Sequence, residues 1–177
     1  MRRMYVCVLA LLLGFALQAQ AAERWYTPNA SDGMDTWFGS VYYTTGMPTS
    51  NRIRMGGWGD QYNGLLRFNL SGLPQVATQV VLWLYTFPDS GTPVALNWYR
   101  LLENWQETKT TWSNQPVGTF LGWTSAPPRG YSGWYGVDIT SFYNSWRRGN
   151  SSYLNFGFRL SPTGTNNQFT QFFSSDT

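Results

Sequence analysis

Histidine is absent from the 177 residues. That removes the commonest general base and the commonest zinc ligand together. Lysine occurs once, at Lys109, which argues against a phosphate-binding surface. The single cysteine, Cys7, lies in an N-terminal apolar run, so the rest of the chain can form no disulfide. Phosphate loops, nucleophile elbows and metal-protease motifs are also missing. No internal repeat or low-complexity linker divides the chain, and one domain is expected.

The first residues read as an export signal. Arg2 and Arg3 precede an apolar run from Tyr5 to Leu17, and Ala19-Gln20-Ala21 is a small-x-small cleavage site. This order defines a secretory signal peptide over residues 1–21, too short to span a membrane as an anchor. Cys7 sits inside the run and not just after the cleavage site, which argues against lipidation. Without Arg2 and Arg3, the twelve basic residues fall to ten against nine acids, a net charge of +1. The basic character belongs largely to the leader and gives no case for nucleic acid. The mature domain, 22–177, has roughly 155 residues and can bury about two thirds of its unfolded surface without disulfides.

Aromatic residues are abundant: ten tryptophans, eleven tyrosines and eleven phenylalanines. A core this small cannot hide them all. Residues 65–102 contain three apolar runs separated by SGLPQ and PDSG, which predicts a strand, a crossing loop, a strand, a hairpin-like turn and a third strand. Leu66, Phe68 and Leu70 share one face of the first strand, and Val80, Leu82 and Leu84 one face of the second. The second strand is apolar on its other face too, at Val81, Trp83, Tyr85 and Phe87. Those side chains either pack under loops or form an aromatic platform.

Further short strands are expected at Arg24–Thr27, Thr36–Tyr43, Arg52–Met55, Tyr131–Asp138, Tyr153–Leu160 and Gln168–Ser174. Gly56-Gly57 is expected to close the strand before it. Residues 103–128 read as irregular, with one short strand near Thr119–Trp123. Thr140 is the expected N-cap of a helix over Ser141–Arg148, with Phe142 and Trp146 on one face and Gly149 after its end. Many short strands, frequent turns and one short helix near 140–148 define an all-β, antiparallel β-sandwich.

Several motifs together resemble the secreted DNRLRE-type domain, also grouped as carbohydrate-binding module family 96. They are Asp32-Gly33-Met34-Asp35-Thr36-Trp37, Leu66-Arg67-Phe68-Asn69-Leu70 with Leu73-Pro74, Leu82-Trp83-Leu84-Tyr85, Trp105-Gln106-Glu107 with Thr111-Trp112-Ser113-Asn114, Val137-Asp138-Ile139-Thr140 with Trp146 and Gly149, and Phe156-Gly157-Phe158. They keep the family's order and cover nearly the whole mature chain. The resemblance implies a jelly-roll sandwich in secreted or surface proteins of bacteria and archaea, often beside polysaccharide-degrading enzymes. It departs in one respect: the family continues past the position of Asp176 with a Pro-containing loop and a final strand. Truncation and a strand supplied by another chain are the two readings of that difference.

The candidate binding residues follow from chemistry. Sugar C–H faces stack on flat rings that lose little rotamer entropy on binding. Trp83 and Tyr85 suit a platform, and Trp58, Trp112, Trp123 and Trp134 lie in or near loops. Arg52, Arg54 and Arg67 could form an alternating basic strip that pairs with uronic-acid carboxylates, or simply face solvent in salt bridges. Asp32, Asp35 and Asp60 lie in polar, Gly-containing loops, where they could hold a structural calcium ion or cap turns. Asp138 is expected to cap the helix. Glu103 and Glu107 are the two acids a glycosidase would need, and a lyase would have to rely on Tyr with Arg.

The expected function is a secreted, non-catalytic polysaccharide-binding module whose ligand could be acidic. The rival is a structural or adhesive building block of the cell surface or extracellular matrix, self-associating through its aromatic faces.

Overall fold

Residues 23–28, 33–88, 92–149 and 152–175 are described in the computed structural model of the chain. Among them are β1 (Gly33–Gly39), β2 (Arg52–Trp58), β3 (Tyr62–Phe68), β4 (Val81–Tyr85), β5 (Leu96–Leu101), β6 (Gly118–Thr124), β7 (Trp134–Asp138), α1 (Thr140–Arg147), β8 (Phe158–Pro162) and β9 (Asn166–Phe173). A 3-10 turn covers Trp112–Asn114. Every ladder between these strands is antiparallel.

The pairings build two layers. β3 carries β1 on one side and β8 on the other, and β8 continues to β5 and β6. β2 and β9 pair along their length, and β2 joins the β3 ladder only where Gly56 meets Tyr62. β4 and β7 form a two-stranded ribbon. The chain just past β4 joins this ribbon to β9, through a Thr86↔Phe172 bridge and the Phe87 N–H donating to the Gln171 carbonyl at 2.9 Å. The second layer therefore runs β7–β4–β9–β2, and the chain folds as an antiparallel β-sandwich.

Alternation explains how the layers meet. Ile53 and Met55 of β2, Leu84 of β4 and Phe172 of β9 point inward from the second layer. Leu66 of β3, Leu96 and Trp98 of β5, and Phe158 and Leu160 of β8 meet them from the first. Val80, Leu82, Phe68 and Leu70 pack against this core, the faces that period-two patterning predicts. Ile139 and Trp146 close one end.

Some local expectations fail. Arg24–Thr27 forms no strand and is exposed, and β1 starts at Gly33 and stops at Gly39, leaving Val41–Tyr43 in an exposed turn. β2 does not close at Gly56-Gly57 but pairs through both with Phe169 and Gln168, then bulges before Trp58. β4 and β5 form no hairpin: β4 pairs with β7 in one layer, and β5 with β6 and β8 in the other. Leu154 is exposed and outside any strand. β8 begins only at Phe158, because Gly157 (φ +86°) crosses so close to β3 that a Cβ there would lie 2.0 Å from the Leu66 carbonyl oxygen.

Leu65, expected opposite the core, is fully buried in a second cluster with Phe38, Leu101 and Trp105. That cluster lies on the outer face of the first layer.

The helix appears where expected, with a different start. Its N-cap position is Ile139. The Thr140 hydroxyl instead accepts from the Val80 N–H at 2.8 Å, fastening α1 to the approach to β4. Asp138 Oδ1 accepts the Thr140 N–H at 2.8 Å, the capping contact expected of it. The Thr140 hydroxyl first, and then the Thr140 N–H, hold the Asp138 carboxyl below the usual carboxylate range. Gly149 (φ +69°) follows the helix end and donates to the Trp146 carbonyl.

Candidate functional site

On β4, Leu82 and Leu84 face the core, so Trp83 and Tyr85 must face out. Trp83 is 43% exposed and Tyr85 37%. In the ribbon register Tyr85 stands opposite Trp134 and Trp83 opposite Gly136. The Tyr85 and Trp134 rings meet edge to face at 5.1 Å, a favourable aromatic geometry. Gly136 leaves the space Trp83 occupies: a Cβ there would lie 2.7 Å from the indole. Thr86 anchors the loop before β7, its hydroxyl lying 3.0 Å from the Tyr131 and Gly133 carbonyls. Two flat rings and a tyrosine are thus fixed side by side on an open sheet face.

The surface continues across β9 and β2. Phe173 alternates with buried Phe172, so it shares the outward side with Tyr85, at 5.9 Å, and with Phe87, at 4.8 Å. The Arg52 guanidinium lies over Phe87 at 4.3 Å. Arg54 donates through Nε to Gln171 Oε1 at 3.0 Å, and Arg52 Nη1 reaches the same oxygen at 3.5 Å. Arg54 also lies 5.8 Å from the Trp58 ring, which is 61% exposed and packs on Phe169 at 4.5 Å. Trp134, Tyr85, Phe173, Phe87, Arg52, Arg54 and Trp58 form one chain of contacts across the layer. Cation–π contacts hold both arginines against rings of this surface.

Beneath Trp58, the buried Tyr62 ring touches Trp58, Phe169 and Trp37. Burial, followed by its hydrogen bond to Asp60, pushes the Tyr62 hydroxyl well above the ordinary phenol range. Burial alone would push Asp60 up, but donation from Tyr62, from the Trp58 N–H and from its own N–H outweighs it, and the carboxyl sits below its usual value. The folded phenol therefore keeps its proton where the unfolded one, with a pKa of about 10, loses it. Stability should fall as pH rises above about 10. Urea midpoints between pH 9 and 11 should show a shallower alkaline fall for Tyr62→Phe than for wild type.

The remaining candidates lie elsewhere. Arg67 leaves the expected basic strip: on β3, in the other layer, it donates to Asn104 Oδ1 at 2.5 Å. Trp112 is half-buried and packs on Phe38 at 6.3 Å, also on the first layer. Trp123 is exposed on β6. Asp35 is buried within β1 and accepts the Ser175 N–H at 2.8 Å, while Asp60 Oδ1 accepts the Trp58 N–H at 2.7 Å. Asp35 pairs with Leu66 and Gly39 with Tyr62, so Asp35 and Asp60 sit at opposite ends of one ladder, roughly 13 Å apart or more at about 3.3 Å per residue. The two do not meet at one place, and Asp32, like Cys7, lies outside the described residues. Among the described residues no cluster of three acidic, His or Cys side chains could hold an ion.

Phe87, Phe173 and Gln171 belong to this surface, and of the three only Phe87 is placed on the platform face by the sequence. Phe87 carried a signal, as the next outward residue after Trp83 and Tyr85. Phe173 and Gln171 carried none until β9 was known to pair with β2.

An open layer face of rings and guanidinium groups offers stacking surfaces and hydrogen-bond donors together. The model of carbohydrate-binding module family 96 matches residues 31–177, and the chain belongs to that family. It is a carbohydrate-binding module, with polysaccharide as its partner class. No curated protein matches the chain.

Proposed function

We propose that this protein is a secreted, non-catalytic module that binds polysaccharide across the outer face of the β7–β4–β9–β2 layer. The observation that carries this reading is the alignment of exposed Trp83, Tyr85 and Trp134 on the ribbon, continued by Arg52, Arg54 and Trp58. Sugar rings stack on the indoles, and the arginines bond hydroxyls or the carboxylates of an acidic chain. Glu103 and Glu107 support a non-catalytic role, because each is tied to backbone. Glu103 accepts the Val117 N–H at 2.6 Å, and Glu107 accepts the Asp35 N–H at 3.3 Å. The leader of residues 1–21 supports export.

Affinity electrophoresis against neutral and acidic polysaccharides tests the reading. Wild type should be retarded by at least one glycan, and Trp83→Ala should migrate freely through it. Free migration of wild type through every glycan would count against the proposal. The same rings could instead bury against a second copy in a self-associating surface protein. Size-exclusion chromatography separates the two: concentration-dependent polymers would favour the structural role.

A further inference from the structure

The other side of the sandwich is hollowed instead of paved. Gln61, Asn63 of β3, Asn97 and Tyr99 of β5, and Arg159 and Ser161 of β8 line an open depression of about 420 Å³, flanked by Trp112 and Gln115. The strand residues among them alternate with core residues Leu66, Leu96, Trp98, Phe158 and Leu160, so they point away from the core. This face and the aromatic one are therefore the outer faces of opposed layers.

The lining is polar and partly prearranged. Gln61 Nε2 donates to Asn63 Oδ1 at 2.9 Å, Asn63 Nδ2 to Gln115 Oε1 at 3.2 Å, and Arg159 Nη1 to that same oxygen at 3.3 Å. Arg159 Nη1 also reaches the Pro116 carbonyl at 3.3 Å, and its guanidinium lies over Tyr99 at 4.4 Å. Arg159 Nε is buried and has no hydrogen-bond partner among the described residues. Nor does any carboxylate among the described residues bond this guanidinium. Burial pulls its pKa down, opposed by Tyr99. A half-buried cation with no carboxylate beside it is an unfavourable arrangement that an anion in the depression would offset. Rings border the hollow: Trp123 stands opposite Asn97 in the β5–β6 register, and exposed Phe120 packs on Tyr99 at 5.5 Å.

We propose that this depression is a second saccharide site, separate from the aromatic face, and that it takes a sugar unit bearing a carboxylate or a sulfate. The anion bonds the Arg159 guanidinium where it lines the hollow, the amides of Asn63, Asn97 and Gln115 bond ring hydroxyls, and Trp112 forms one wall. With the aromatic face also binding glycan, which rests on the function proposed above, one molecule holds two chains and cross-bridges them.

Two-dimensional NMR of the full domain tests the site. The probes are a galacturonate oligomer, a sulfated galactose oligomer and a neutral galactose oligomer. At least one acidic oligomer should shift the Arg159 Nε–H and Asn97 side-chain signals, and the neutral one should leave them in place. Arg159→Gln should weaken that binding at least tenfold, and Trp83→Ala should not change it. If Arg159→Gln perturbs folding, as judged by near-UV circular dichroism, Asn97→Ala replaces it and should weaken binding severalfold. Equal binding of the neutral oligomer, no shift with any oligomer, or loss of the titration in Trp83→Ala would each overturn the proposal.

Turbidity with polygalacturonate or a sulfated galactan tests bridging. Wild type should cloud the solution and Arg159→Gln should not. Clouding by Arg159→Gln would overturn the bridging role of this site. Clouding by Trp83→Ala would instead remove the aromatic face from the account and leave the groove standing.

Discussion

Alanine at both Trp83 and Trp134 should lower affinity for a retained polysaccharide about a hundredfold or more, since a central aromatic contact contributes about 2 kcal/mol at a hot spot. Isothermal titration of wild type, both single variants and the double variant measures it. The effect should fall on affinity and spare stability. Trp134 is 57% exposed and Trp83 43%, so truncation opens no cavity, and surface changes of this kind usually stay within about 0.5 kcal/mol. The two losses should not simply add, because Tyr85 packs against Trp134 and lies between the indoles. A Trp134 variant lets the Tyr85 ring turn, so its loss should exceed that of Trp83.

The second large effect concerns how the aromatic face is held. Phe172→Ala should destabilise the domain by about 3–5 kcal/mol, the usual cost of emptying a buried phenylalanine site. For a chain of this size that lowers Tm by about 10 °C. Phe172 is fully buried, stacks on Tyr135 of β7 at 5.7 Å, and bridges to Thr86 just past β4. It is where the ribbon is pinned to β9. The variant should also bind less well at temperatures where it remains folded, because the ribbon's placement beside Phe173 depends on that contact. Thermal melts followed by circular dichroism, with binding measured 20 °C below each midpoint, check both parts.

Local patterning was enough for some of this arrangement. Period-two alternation over residues 80–87 separates Leu82 and Leu84 from Trp83 and Tyr85, because a strand has only two faces. The Phe142–Trp146 spacing and Gly149 likewise mark α1, where helix geometry and its cap are local matters. Partnership between distant strands was not legible. Arg52 and Arg54 come to share Gln171 only because β2 pairs with β9 more than a hundred residues later. Arg67 has the same residue type and a similar strand context, yet lies in the other layer. Leu65 shows the same limit: its outward face is buried because Trp105 and neighbouring residues cover it, and irregular chain has no period from which to foresee that cover. The aspartates divide for a related reason. Asp35 and Asp60 flank glycines alike in sequence, but one is held inside a strand and the other at a turn.

Hydroxyl-radical footprinting with mass spectrometry, with and without a polysaccharide that retards the protein, tests the central claim most directly. Bound glycan should protect Trp83, Tyr85 and Trp134, with Trp58 following if the chain runs on across β2, while Trp25, exposed outside the sandwich strands, stays reactive. Unchanged oxidation of Trp83 and Trp134 under saturating glycan would contradict the account.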